Sequence, residues 1–179
     1  EIMPKIFLFS KLKIKKKLIL LVDKNLHKNQ YQALKLVMKK KNNIKFVDKN
    51  ECIYVEKLHT ISSVGYSYHS PINPEKKHFQ GIYNHSLLDD FSNYIQKEIG
   101  FKMKNKKFEK IFITRESKKR NLINQKKISE IFKYKKFKVI NINKLNFKEQ
   151  VRLYKAAKVI ISPAGASNSN MIFSSNNLN

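Results

Sequence analysis

The sequence predicts an α/β fold with a Rossmann-like, doubly wound and mostly parallel sheet. Short runs of β-branched and aliphatic residues alternate with segments of roughly 10 to 15 residues whose apolar side chains recur every three or four positions. This alternation is typical of right-handed βαβ crossovers, which join parallel strands. The chain has 179 residues, of which 41% are hydrophobic, and these suffice for a packed core.

The first half of the chain predicts a βαββ pattern followed by a long loop. Residues 18–22 form a continuous apolar run typical of a buried strand, and residues 29–41 have the apolar spacing of an amphipathic helix. Residues 44–47 predict a second strand, and alternation of apolar with polar side chains predicts a third over residues 52–58. Residues 63–81 hold two glycines, two prolines and no regular period, which is typical of a long loop, and such loops are often functional.

The second half of the chain predicts a more regular alternation of strands and helices. Residues 85–99 have helical apolar spacing, and Gly100 occupies the position of a C-terminal cap. Asn146, with Glu149 three residues later, has the pattern of a capping box that starts another helix. The other predicted strands and helix cover residues 111–114, 124–134, 137–142 and 159–162.

The formal net charge is +25, and its composition argues against a dedicated nucleic-acid-binding surface. Of the 38 basic residues 35 are lysine, and these are scattered along the chain beside abundant Asn and Ile. The codons for these three residue types are A/T-rich, so we attribute the charge to a biased genome composition and expect no specific nucleic-acid partner. One alternative stays open, a non-catalytic basic domain that binds nucleic acid or another anionic surface.

The cysteine and hydropathy patterns predict a cytoplasmic protein. Cys52 is the single cysteine, so no intrachain disulfide can form, which is typical of a reducing compartment. No apolar run approaches the roughly 20 residues that span a bilayer. The basic segment over residues 11–17 has two interpretations, a solvated lead-in to the first strand or a peripheral contact with anionic lipid at the inner face of the membrane.

The ends of the chain predict a fragment of a longer protein. The chain lacks an initiator methionine, and it stops shortly after its last predicted strand. Residues 1–17 are interpreted as a basic lead-in at the end of a missing N-terminal half. Residues 18–179 are interpreted as one Rossmann-like domain that is truncated at its C-terminus.

A candidate phosphate-binding site lies where the last predicted strand ends. The β-branched residues 159–161 run into a turn with Pro163 and Gly165, and a polar segment that can open a helix follows. A strand, a tight turn and a helix N-terminus together present backbone N–H groups to an anion. Arg115 and Arg120 follow the strand over residues 111–114, and parallel strands end at one edge of a sheet, so both arginines are predicted to face this turn. Guanidinium groups bind phosphate in a bidentate way that lysine does not reproduce.

Other kinds of site are disfavoured by the sequence. There is no G-x-G-x-x-G fingerprint and no P-loop, which argues against dinucleotide- and ATP-binding enzymes, and no cofactor is expected. The histidines of residues 59–85 lack helical spacing among themselves and have no cysteine partner at zinc-site distance, so no metal site is expected. His85 and Asp89 lie one helical turn apart, but a surface ion pair is the simpler interpretation and no catalytic residue is assigned.

Residues of the C-terminal part occur in the order and spacing of a known family. They are Ile113-Thr114-Arg115, Arg120, Asn124, Phe147-Lys148-Glu149-Gln150-Val151, Ala156-Ala157-Lys158-Val159-Ile160-Ile161-Ser162-Pro163, Gly165-Ala166, Asn170 and Phe173. Over roughly residues 110–173 this pattern closely resembles the family 61 glycosyltransferases, which include bacterial capsular-polysaccharide biosynthesis proteins and eukaryotic xylosyl-, arabinosyl- and N-acetylglucosaminyltransferases. Residues 18–99 are compatible with the preceding part of such a domain.

The resemblance implies one half of a GT-B glycosyltransferase, in which two Rossmann-like halves face each other across a cleft and the C-terminal half binds the nucleotide sugar. It implies inverting, metal-independent transfer of a hexose or pentose from a nucleotide-sugar donor to a glycan or lipid-linked glycan acceptor, in capsular or surface polysaccharide biosynthesis. The donor-binding residues that it implies are Arg115, Arg120, Asn124, Ser162, Gly165, Ala166 and Asn170.

Two positions depart from the family pattern. A histidine often precedes the Gly-Ala pair, and Ala164 stands there instead. The acidic residue that commonly follows the motif's asparagine is replaced by Gln125. A degenerate member that kept the fold and lost its activity is therefore a further alternative, and the catalytic base is expected from the opposite half or the cleft.

Overall fold

The structure is a computed structural model that describes residues 2–12, 18–38, 44–66, 82–100, 110–116 and 121–175. The chain divides into two compact units, Glu1–Phe91 and Ser92–Asn179, and each contains a short parallel sheet. Arg120 and most of the predicted loop over residues 63–81 lie outside the described residues. Among the described residues, no helix is both long and apolar enough to cross a lipid bilayer.

The first unit packs helices around two parallel strands. Strand residues Leu20 and Ile44 lie opposite each other in the parallel pair, and a second, two-residue pair is antiparallel. The elements in chain order are α1 (Ile2–Lys11), β1 (Leu20–Asp23), α2 (Lys28–Val37), β2 (Ile44–Val47), β3 (Gly65–Tyr66), β4 (Ile82–Tyr83) and the first half of α3 (His85–Glu98).

Helix α1 lies within residues 1–17, which were interpreted above as a basic lead-in, and this helix was not predicted. Pro4 lies in the first turn, where its missing N–H leaves no hydrogen bond unmade. Phe7 is buried, and its ring centroid lies 5.6 Å from that of Phe91 at the other end of the unit's sequence. The burial of α1 therefore depends on a distant residue, which local periodicity does not reveal.

The strand predicted over residues 52–58 is wrong. These residues form no sheet hydrogen bonds with any described part of the chain, and Tyr54 and Leu58 are exposed. A turn directly precedes these residues, in which the Glu51 N–H donates to the Asp48 carbonyl at 3.1 Å. Alternation of apolar and polar side chains forms a strand only where a partner strand satisfies the backbone groups.

The second unit contains a three-stranded parallel sheet in the order β6-β5-β7. The central strand supplies the core, since Ile111, Phe112 and Ile113 are all buried. The elements in chain order are the rest of α3, β5 (Lys110–Thr114), α4 (Gln125–Tyr134), β6 (Lys138–Asn141), a 3-10 turn (Ile142–Lys144), α5 (Phe147–Ala156), β7 (Val159–Ile161) and a 3-10 helix (Ala166–Phe173).

Local signals at helix ends are confirmed in this unit. Gly100 has φ +64° directly after α3, which is the left-handed conformation of a C-terminal cap. The Asn146 side chain accepts from the Glu149 N–H at 3.0 Å, and the Glu149 carboxylate accepts from the Asn146 N–H at 2.7 Å. The strand and helix alternation from β5 to β7 is confirmed as well. The chain is thus a mixed α/β protein with short parallel sheets, compatible with a Rossmann-like fold.

Candidate functional site

The candidate site lies at the carboxyl edge of the second unit's sheet. Phe112 of β5 lies opposite Ile161 of β7, so the residues that follow both strands leave the sheet side by side. The chain passes from β5 through α4 to β6 on one side, whereas β7 lies on the other side. Such a reversal of strand order is a topological switch point, where open α/β sheets bind ligands.

Arg115 is held at this edge by neutral acceptors. Its backbone N–H donates to Oε1 of Gln125 in the first turn of α4 at 3.0 Å. Its guanidinium Nη1 donates to the Ala164 carbonyl at 2.7 Å. Among the described residues no carboxylate forms an ion pair with Arg115.

The close approach of the Arg115 guanidinium requires a glycine at position 165, whereas the backbone conformation there does not. Its φ is 174°, which is extended backbone that any residue adopts. A Cβ at this position would lie 3.2 Å from Nη1 and 3.5 Å from Cζ of Arg115. The Arg115 guanidinium therefore lies directly against the Gly165 Cα, and a side chain here would displace it.

The turn after β7 presents backbone donors beside the guanidinium. The hydroxyl of Ser162 donates to Oδ1 of Asn168 at 2.8 Å, and the Asn168 N–H donates to the Gly165 carbonyl at 3.0 Å. That second bond is the first of the 3-10 helix, so the N–H groups of Ala166 and Ser167 precede any partner within the helix. A cation and two backbone donors at one turn form an environment for an anion.

Buried polar side chains support the turn from the protein interior. The Tyr154 hydroxyl donates to the Ser167 carbonyl at 2.8 Å, and burial raises the pKa of Tyr154 to about 12. Gln150 is 8% exposed; its Nε2 donates to the Ile142 and Leu145 carbonyls, and its Oε1 accepts from Nδ2 of Asn170 at 2.8 Å. This network joins the 3-10 turn, α5 and the 3-10 helix into one framework.

Hydrogen bonds from side chains to backbone carbonyls connect the carboxyl ends of β5 and β6. The Thr114 hydroxyl donates to the Ile140 carbonyl at 3.2 Å, and the Asn143 amide donates to the Glu116 carbonyl. Nδ2 of Asn141 is buried there without a partner among the described residues. The two bonds link β5 and the residues after it to β6 and the turn that follows it.

The predicted site residues differ in what they contact. Arg115 and Gly165 touch each other, and Ser162, Ala166 and Asn170 belong to the same turn and 3-10 helix, with Asn170 directed to Gln150. Asn124 precedes α4 and is exposed, and its side chain makes no capping hydrogen bond. Arg120 lies outside the described residues.

Three residues of the site were not predicted as members of it. They are Gln125, which accepts the Arg115 N–H, and the supporting residues Gln150 and Tyr154. Gln150 had a signal in the sequence, since it lies beside Val151 on the face of α5 that is otherwise apolar. A glutamine in such a place indicates buried hydrogen-bond partners.

The first unit has an open cleft of its own, of about 400 Å³, at the carboxyl ends of β1 and β2. Two of its three acidic residues form ion pairs, with Lys24–Asp48 at 3.4 Å and Lys45–Glu51 at 3.3 Å, and the third, Asp23, accepts from the Asn25 N–H at 2.7 Å. Within the described ranges, no three His, Cys, Asp or Glu residues are grouped as metal ligands.

The topological switch point of the parallel sheet thus brings together the Arg115 guanidinium and the turn after β7 in a mixed α/β protein. The family described as Glycosyltransferase 61 matches residues 1–179, the entire sequence, and the chain belongs to this family. Its members transfer a sugar from a donor to an acceptor. A search of curated proteins returned no match.

Proposed function

We propose that this chain carries the nucleotide-sugar-binding site of an inverting, metal-independent glycosyltransferase of the GT-B type. Its reaction is transfer of a hexose or pentose to a glycan or lipid-linked glycan in capsular or other surface polysaccharide synthesis, at the cytoplasmic side of the membrane. The observation that carries the donor site is the 2.7 Å bond between Nη1 of Arg115 and the Ala164 carbonyl. It joins Arg115, the one arginine of this edge among the described residues, to the turn after β7.

The proposed site acts on the leaving diphosphate. When the bond between C1 of the donor sugar and the phosphate oxygen breaks, negative charge grows on the nucleoside diphosphate. The remaining guanidinium donors of Arg115 and the N–H groups of Ala166 and Ser167 bind that charge, and they are fixed before the reaction begins. The acceptor oxygen forms the new bond from the opposite face of C1, which inverts the configuration, and its proton passes to a base that we do not assign.

The residue at position 164 acts through its backbone in this proposal. Its carbonyl orients the Arg115 guanidinium, and any residue type supplies that carbonyl. Many family members have a histidine at this position. Because Ala164 supplies no imidazole at the turn, binding of the diphosphate depends on Arg115. Gln125 likewise holds Arg115 with a neutral amide oxygen in a position where the family commonly has a carboxylate.

Calorimetric titration of the whole chain with UDP, GDP, CDP and AMP, with and without magnesium, tests the proposal. We expect one nucleoside diphosphate to bind in the absence of magnesium and Arg115→Ala to weaken it about 10- to 100-fold, the value of a charged hydrogen bond. Arg152→Ala is the matched control, because Arg152 instead donates from Nη2 to the Ile99 carbonyl at 3.3 Å. Equal loss in both variants, or no binding to any of the four nucleotides, would contradict the proposal.

Titration of the same proteins with DNA or an acidic polymer at several salt concentrations distinguishes the open alternative of a basic binding domain. Distributed lysines bind DNA or acidic polymers by counterion release, so such binding falls steeply with salt. It would also be indifferent to Arg115→Ala, since one charge among 38 basic residues is removed.

A further inference from the structure

Helix α4 has apolar side chains on both of its sides. Its inner side packs on the sheet through Phe132, whose ring lies 4.4 Å from Phe112 and 5.0 Å from Phe137, centroid to centroid. On the outer side Ile131 is 47% and Tyr134 is 89% exposed, and Ile123 just before the helix is fully exposed. Lys127, Ile131 and Tyr134 are spaced four and three residues apart, which places them on one side of the helix, and Ile123 precedes it in the sequence. We call this side the α4 face.

Helix α4 and the residues directly after it are rich in lysine. Five lysines lie between residues 126 and 136, and Glu130 is the one acidic residue between residues 117 and 148. Within the described ranges none of these five lysines forms an ion pair. Lysines on and around the α4 face thus accompany its exposed aliphatic and aromatic side chains.

We propose that the α4 face binds the surface of an anionic lipid bilayer. Lysines around an apolar strip are the pattern of interfacial helices, in which ammonium groups meet phosphate head groups while apolar side chains enter the acyl boundary. Tyrosine suits this depth because its ring is apolar and its hydroxyl stays hydrated. The charge complementarity selects lipid over a second copy of this chain, whose α4 face would carry the same positive charge.

The apolar residues select lipid over a nucleic acid or another acidic polymer. Exposed isoleucines neither stack on bases nor bind phosphate, whereas burial of their area in an acyl layer is favourable. The face also has no arginine among its described residues, so it lacks the group that binds phosphate in a bidentate way. Gln125 at the start of α4 accepts the Arg115 N–H, so docking through this face would hold the carboxyl edge of the sheet near the membrane.

Vesicle co-sedimentation of the whole chain tests the charge contribution. We expect binding to phosphatidylcholine vesicles that contain phosphatidylglycerol and no binding to phosphatidylcholine alone. Each lysine near an anionic surface strengthens partition roughly fivefold, so the triple variant Lys126→Gln, Lys127→Gln, Lys133→Gln should bind about 100-fold more weakly. The matched control Lys28→Gln, Lys49→Gln and Lys57→Gln removes the same charge from exposed positions of the first unit. Equal loss in the two triple variants would overturn the proposal in favour of diffuse charge.

A single-tryptophan variant tests the apolar contribution. The chain contains no tryptophan, so Tyr134→Trp provides one reporter on the α4 face. We expect its emission to shift to the blue with anionic vesicles and to be quenched by lipids with brominated acyl chains. The reverse design, Ile131→Ser with Tyr134→Ser, keeps the charge and should weaken vesicle binding.

Three results would overturn the proposal. The first is an unchanged tryptophan emission on vesicle binding. The second is a serine variant that binds vesicles like the parent while heparin or DNA competes for the same lysines, which indicates an acidic polymer as the partner. The third is a blue shift that depends on protein concentration without vesicles, which indicates self-association through the α4 face. Circular dichroism controls for the fold of each variant, and all substituted side chains are exposed.

Discussion

Replacement of Gly165 by alanine separates the role of this glycine in ligand binding from a role in folding. The backbone at Gly165 is extended, with φ 174°, so alanine adopts it without strain. The added Cβ meets only the Arg115 guanidinium, at 3.2 Å from Nη1 and 3.5 Å from Cζ. The substitution therefore perturbs the orientation of one cation and leaves the packing of the unit unchanged.

The size of the effect follows from these distances. A Cβ contact of 3.2 Å is shorter than ordinary van der Waals separation, so the guanidinium must move by a few tenths of an ångström. That movement lengthens the 2.7 Å bond to the Ala164 carbonyl and misaligns the donors that face the crevice. A charged hydrogen bond is worth about 1.5–3 kcal/mol, and partial loss of one lowers nucleoside diphosphate affinity about 3- to 10-fold. Stability should stay equal or rise by up to about 1 kcal/mol, since alanine restricts the unfolded chain.

Calorimetry and urea unfolding of four proteins measure this prediction. They are the parent chain, Gly165→Ala, Arg115→Ala and the double variant. If Gly165→Ala acts through the guanidinium, it has no further effect once Arg115 is alanine, and the double-mutant cycle reports this directly. A loss of affinity that persists in the Arg115→Ala background would refute the reasoning, because the methyl group would then be blocking the ligand itself.

The remaining predictions concern stability. Gly100→Ala should cost about 1–2 kcal/mol of unfolding free energy, because φ is +64° although a Cβ would meet nothing within 4 Å; an unchanged urea midpoint would disprove the cap. Asn146→Ala should cost about 1 kcal/mol by removing the bond to the Glu149 N–H, measured in the same way. Tyr154 has its pKa raised to about 12 in the folded state, above the unfolded value, so its stabilising contribution is complete below about pH 10 and is lost toward pH 12. Tyr154→Phe should lower the free energy of unfolding by about 1 kcal/mol at pH 8. Above pH 10 the parent should lose up to about 1.4 kcal/mol of unfolding free energy per pH unit through Tyr154, and the variant should lack this loss. Parallel curves of stability against alkaline pH for the two proteins would contradict this.

The local signals of the second unit predicted its structure well because they act within a few residues. Asn146 and Glu149 bond to each other across one helical turn, and Gly100 adopts a conformation that other residues rarely adopt. The strands from β5 to β7 were predictable because buried β-branched runs form the centre of a parallel sheet. Local signals failed where a contact partner is distant, as for Phe7 of α1 with Phe91 of α3, or where the described residues offer no partner strand, as at residues 52–58.

The proximity of Arg115 to the Gly165 turn was predictable from one rule of sheet architecture. Parallel strands end at a common edge, so residues that follow β5 and β7 meet whatever their side chains are. The partners of Gln125, Gln150 and Tyr154 were not predictable, even where the position of Gln150 indicated buried ones, because each bonds to a carbonyl or an amide in another element. The local sequence of a helix does not predict which distant backbone group will be the hydrogen-bond partner of its polar side chains.

By itself the sequence determined the alternation of elements in the second unit, the helix caps and the edge of the sheet where Arg115 lies. It did so because periodicity, capping chemistry and parallel connection are local or topological properties. Only the tertiary structure decided that the guanidinium lies so close to Gly165 that an added Cβ would be 3.2 Å from Nη1, and that a buried network supports the turn. Those contacts change if separate elements shift by a few tenths of an ångström. The packing of the folded chain sets their positions to that precision.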